Sequence, residues 1–211
     1  MDEKNLLKLM DRAYKSGGYL LIVGERGIEL ICDEMWRFGV NLDKVSAKLK
    51  AKLVEHMDFL PTEREAWYVR PDGAQSAEMA VALQTAAAWI PQRRLPVLQT
   101  NVRYGALVIY QSEETKVCAA LPTSWLLAAG EENLLVDTAA GICYCESEGV
   151  SASGRCATKR TESNTERGLK LAAVLRAMEQ VRLVGADAEK ELIGQQSILG
   201  QDEEETGDGE A

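Results

Sequence analysis

Residues 19–38 read YLLIVGERGIELICDEMWRF: an apolar run, a Gly-x-x-Gly and a second apolar run. The pattern has two readings. A strand feeding a phosphate-gripping loop and a helix would point to a nucleotide enzyme. Two strands joined by a tight turn would carry no chemistry. YLLIV is short, bounded and β-branched at Ile22 and Val23, the profile of a strand. Gly27 stands where a type I turn closed by a G1 bulge takes a left-handed residue. IELIC then puts Ile28, Leu30 and Cys32 on one face of a strand, although Ile28, Ile31, Met35 and Phe38 also keep a rough helical spacing. A dinucleotide fingerprint needs three glycines and an acidic residue about 20 positions on. Here one glycine is missing and the later region is lysine-rich, so the hairpin is favoured.

Periodicity extends the reading in both directions. Leu6, Leu9, Met10 and Ala13 share one face of a helix over 3–16, which Gly17-Gly18 stops. A second helix is expected over 42–59, capped by Asn41, with an apolar stripe of Leu42, Val45, Leu49, Leu53, Met57 and Leu60. EAWYVRPDG reads as a strand entering a turn. SAEMAVALQTAAAWI reads as a helix, with Met79, Leu83, Ala86, Ala87 and Ile90 on its packing face and alanines that permit close approach to a sheet.

Strands dominate 96–146. ALVIY and KVCAAL form a hairpin whose wholly apolar arms predict a central, doubly covered pair. PTSWLLAAGEEN reads as a short helix or structured turn. Residues 146–163 read as a loop or an edge hairpin. Ser163-x-x-Glu166 is a capping box opening a helix to about 183, Asp187 caps a further short one, and the chain from about 196 reads as disordered. The expected class is therefore α+β: a mostly antiparallel sheet of five to seven strands flanked by three to four amphipathic helices. Residues 1–195 form one domain and 196–211 an acidic tail. On element order alone the chain is similar to small sensor and scaffold folds of the profilin, GAF or roadblock sort, a likeness of architecture that does not give function.

The chain has 211 residues, 46% apolar and 27% charged, the profile of a soluble globular protein. No apolar run approaches the roughly 20 residues that span a bilayer. Its amphipathic N-terminus is not a signal peptide, so the cytoplasm is expected. Net charge is −9, but the last ten residues hold six acids and no base, which leaves 1–201 at −3. Mild acidity argues against nucleic-acid binding, which draws on clustered Lys and Arg.

Candidate chemistry is sparse. His56 is the sole histidine, so any Ser-His-Asp or Cys-His mechanism must use it; it reads as a capping or surface residue. No nucleophile elbow, Walker A loop or other cofactor motif is present, and no cofactor is expected. Cys32, Cys118, Cys143, Cys145 and Cys156 read as free, mostly buried thiols. Cys143 and Cys145 share a strand face, and with Cys118 and Cys156 they supply four thiolates, but the spacing lacks the paired knuckles of zinc sites. The adjacent acids Asp33-Glu34, Glu113-Glu114 and Glu131-Glu132 point to opposite faces and read as solvated charge. Lys44, Lys48 and Lys52, four apart, form a basic ridge that reads as a solvated face or as a dock for an acidic partner such as the tail. Arg155, Lys159 and Arg160 in a Ser/Gly-rich stretch form the candidate anion-binding segment.

These features favour a non-catalytic interaction or regulatory protein working through its surface and tail. A sensor of a small anionic molecule and an enzyme of unfamiliar type are the alternatives. Trp36, Phe38, Trp89 and Trp125 near element ends raise homodimerisation, with core packing as their other use.

Overall fold

The computed structural model describes residues 1–32, 35–161 and 165–185. Asp33-Glu34, Ser163, Asp187 with its expected helix, and the acidic tail lie outside them. In chain order the elements are α1 (Glu3–Lys15), β1 (Tyr19–Val23), β2 (Gly27–Cys32), β3 (Trp36–Asn41), a 3-10 turn (Leu42–Lys44), α2 (Ala47–Met57), β4 (Glu65–Arg70), β5 (Gly73–Ser76) and α3 (Met79–Ala87). There follow β6 (Leu95–Pro96), β7 (Leu98–Tyr104), β8 (Leu107–Gln111), β9 (Cys118–Pro122), α4 (Thr123–Ala129), β10 (Leu135–Asp137), β11 (Ile142–Ser147), β12 (Val150–Arg155), β13 (Ala157–Thr158) and α5 (Glu166–Met178). The α+β class holds. The described residues form thirteen strands and five helices, more of each than the sequence indicates, because the strands divide into two antiparallel sheets. One runs β5-β4-β1-β2-β3-β12-β11-β10-β6 and the other β13-β9-β8-β7.

Gly24–Gly27 is a hairpin turn. Val23 pairs with Ile28, and the Gly24 amide donates to the Gly27 carbonyl at 2.9 Å. The chain then continues into β3, so 28–38 is two strands and no helix. Gly27 is not left-handed, contrary to the bulge expectation. It is glycine for another reason: β2 pairs with β3 there, and a Cβ would collide with the Val40 carbonyl.

Strand alternation sorts the large sheet into two faces. Tyr19, Leu21, Val23, Ile28, Leu30, Trp36, Phe38, Val40, Cys143, Cys145 and Ala152 point into the main core, against α1, α2, α4 and one face of the small sheet. On the other face, Leu20, Ile22, Ile31 and Ala66 are covered by α3 through Ala82, Ala86 and Trp89. The alanines do allow close packing, but the buried face differs from the expected one: Leu83 and Ile90 are exposed. The hairpin of β8 and β9 is central and doubly covered, by the main core on one side and by Leu171 and Leu175 of α5 on the other.

Three further expectations are corrected. The second helix starts at Ala47, capped by Ser46 accepting from the Leu49 amide, because Asn41 is still paired in β3 and Leu42–Lys44 form a 3-10 turn. The last helix opens at Glu166 under Thr165, accepting from the Gly168 amide, and ends at Met178. The Ser/Gly stretch is no loop or edge: β12 lies between β3 and β11 in the large sheet. Its small residues are required because Trp125 lies across it. The indole Nε1 donates to the Ser153 carbonyl at 3.0 Å, and a Cβ on Gly154 would come within 2.8 Å of the ring.

Candidate functional site

Past α3, the outer face of the large sheet is open. Register places Ile22, Glu29, Gly39, Ser151 and Glu146 in one row across β1, β2, β3, β12 and β11. This row floors a cleft of about 560 Å³. The Gly24–Gly27 turn and Gly149 close one side and Leu83 of α3, 52% exposed, stands on its margin. That volume lies within the usual range for binding sites.

The floor is polar. Arg37 pairs with Glu29, donating from Nη2 to Oε1 at 2.7 Å with Nε 2.6 Å from Oε2 as an ion contact, and donates from Nη1 to Ser151 Oγ at 3.3 Å. The pair lies over Gly39, where a Cβ would come within 2.7 Å of Ser151 Oγ and 3.1 Å of Glu29 Oε1. Burial pushes the Glu29 carboxyl up, against the pull of Arg37. At the far end Tyr144 donates to Glu146 Oε2 at 2.6 Å, with the Arg94 guanidinium 5.1 Å from its ring centre. Burial, then Glu146, raise the Tyr144 hydroxyl to about 12. A half-buried ion pair with a perturbed carboxyl on the floor of an open cleft marks a candidate site, because such a pair is weak evidence for a stability role. The outward alternation of Glu29 and Arg37 on consecutive strands was the available signal. Nothing in the sequence tied either residue to Ser151.

The sequence-selected residues lie elsewhere. Arg155 donates to the Ala140 carbonyl at 3.2 Å and stacks over Trp89, 4.8 Å from its centre. Lys159 pairs with the buried Glu179 at 2.5 Å, while Arg160 lines a separate 170 Å³ hollow with Thr138, Thr158 and Thr161. Two of the three cations are thus engaged within the chain. Lys44 lies on the 3-10 turn, Lys48 on α2, and Lys52 pairs with Asp11 at 3.0 Å and Glu55 at 2.7 Å. All five cysteines are buried free thiols. Cys118 lies under α5, while Cys143, Cys145 and Cys156 lie in the main core, so the four do not converge. Burial raises Cys118 and Cys145 to about 11 and Cys156 to about 12, which suits inert core thiols. Trp36, Phe38, Trp89 and Trp125 are all buried and serve the core.

His56 corrects its expected surface placement. It is buried, stacked on Tyr14 at 4.1 Å, with Nδ1 3.2 Å from the Tyr19 hydroxyl and Nε2 3.2 Å from Asp11 Oδ1. Burial lowers its pKa, against the opposing pull of Asp11. Both ring nitrogens are occupied, so the imidazole ties α1, α2 and β1 together. Among the described residues, Asp11, Glu55 and His56 are the one group of three or more ligand-bearing side chains within 4.8 Å of one another, and the Lys52 ammonium already bonds both carboxylates.

No protein-family model matches the chain, and no curated protein or solved structure matches it. The class is therefore defined by the architecture: an α+β domain of two antiparallel sheets with a polar cleft on one sheet face. No helix among the described residues is long and apolar enough to cross a membrane.

Proposed function

We propose that this is a non-catalytic protein-interaction domain, and that the cleft between α3 and β11 receives its partner. One observation carries the reading: a cleft of about 560 Å³ is open, floored by a half-buried Arg37–Glu29–Ser151 network and bordered by the exposed Leu83. Exposed apolar side chains beside a rigid polar floor suit a partner segment. The one imidazole is committed to packing, which favours binding over acid–base work. The acidic tail adds long-range steering of a partner, and reduced buried thiols fit a cytoplasmic setting.

The test is affinity capture from the native source with the full chain and with Leu83→Asp, which alters an exposed side chain. The reading expects a defined partner retained by the parent and lost from the variant. Equal capture by both would refute it.

A further inference from the structure

The partner's chemistry can be read from the charges along the cleft, and this step rests on the reading above. Four charged residues line it: Glu25, Arg26, Glu29 and Glu146. Glu29 is neutralised by Arg37, and Glu25 by Arg64. Two charges of opposite sign remain. Arg26, on the β1–β2 turn, forms no ion pair among the described residues. Glu146, on β11, accepts from the Tyr144 hydroxyl and forms no ion pair among the described residues. Both are exposed.

The cleft is thus a dipolar trough, acidic at the β11 end and basic at the hairpin end, with Leu83 of α3 supplying apolar surface on the β1 side. β3 and β12 separate β2 from β11, about 14 Å across the strands, and Arg26 lies three positions, about 10 Å, along from Glu29 in the row of Glu146, so the two positions are about 17 Å apart. An extended chain advances about 3.3 Å per residue and covers that span in roughly five residues, or up to about six once side-chain reach is added.

We infer that the cleft binds an extended peptide segment of a partner protein, laid obliquely across the strands, carrying one basic and one acidic side chain about five to six residues apart with an apolar residue beside the acidic one. The basic group meets Glu146, the acidic group meets Arg26, and the adjacent apolar side chain meets Leu83. A uniformly basic or uniformly acidic segment meets repulsion at one end, which makes the charge order a specificity element.

The experiment is selection of a random peptide library on the full-length chain, followed by affinity measurement for one selected peptide against Glu146→Lys and Arg26→Glu. Both positions are exposed, so the variants keep the fold, which circular dichroism verifies. The expected result is enrichment of sequences with opposite charges at that spacing. Each substitution weakens the selected peptide about tenfold or more, equivalent to about 1.4 kcal/mol. Replacing the peptide's basic residue by glutamate restores binding to Glu146→Lys. Enrichment of uniformly basic sequences indifferent to Glu146→Lys would mean capture by the acidic tail, and would overturn the inference, as would absence of enrichment. If either occurs while native-partner capture still depends on Leu83, the charge assignment fails and the interaction reading survives.

Discussion

Arg37 and Glu29 lie diagonally across β3 and β2 and form an ion pair, with one hydrogen bond at 2.7 Å and a second contact at 2.6 Å, above the glycine at position 39. Removing Arg37 leaves the half-buried Glu29 carboxylate without its cation. Arg37→Met should therefore cost about 3 kcal/mol in urea unfolding, whereas Glu29→Met/Arg37→Met together should be neutral or stabilising. Additive losses in the double variant would show that the pair is a stability element and not a retained polar site.

Gly154→Ala should lower stability by about 1–3 kcal/mol, because the new Cβ falls within 2.8 Å of the Trp125 ring. A shift of tryptophan fluorescence should accompany it as the indole moves. An unchanged melting temperature and spectrum would mean that Trp125 does not rest on β12.

The His56 clamp gives a pH dependence. Its folded pKa lies below the ordinary 6.5 because burial disfavours the imidazolium. The unfolded chain therefore binds more protons than the folded one below pH 6.5. This contribution to stability is full above that value and is lost as pH falls through 6.5 toward the folded pKa. Asp11, held below its ordinary 3.8 by Lys52 and His56 despite burial, extends the loss in the same direction at lower pH. Glu29, raised by burial, acts with the opposite sign, so its part of the stability falls as pH rises above about 4.5. His56→Gln should flatten the slope just below pH 6.5 in denaturant titrations across that window. An unaltered slope would contradict the assignment.

Gln111 is a buried staple. Its Nε2 reaches the carbonyls of Lys116, Met178 and Val181 at 3.2, 3.1 and 2.9 Å, and its Oε1 accepts from the Leu183 amide at 2.7 Å. It thereby satisfies backbone groups at the end of α5 that the helix itself cannot. Gln111→Leu should cost about 2–4 kcal/mol and speed hydrogen exchange at the Leu183 amide. Retained protection there would show that the staple is dispensable.

How much of this was legible in the sequence depends on whether local chemistry or remote contact set the conformation. The stripe of Leu6, Leu9, Met10 and Ala13 and the apolar arms of β8 and β9 are read correctly because burial on one or both faces writes itself into periodicity. The Gly24–Gly27 hairpin is also legible, although the reason for Gly27 is a neighbouring strand rather than its own turn. β12 is not legible: Val150–Arg155 resembles a loop because its small residues answer to Trp125, some 28 positions away. The cleft is hidden for the same reason, since Glu29, Arg37, Ser151 and Glu146 meet only when β12 slots between β3 and β11.

The central claim is that the cleft beside Leu83 is the partner surface, and site-specific photo-crosslinking tests it most directly. A benzophenone side chain is placed at Leu83, and as a control at Leu169, an exposed α5 residue at 62%. Irradiation in native extract should give a discrete adduct from position 83, competed by the selected peptide, and none from 169. Adducts at 169 alone, or at both positions without competition, would contradict the account.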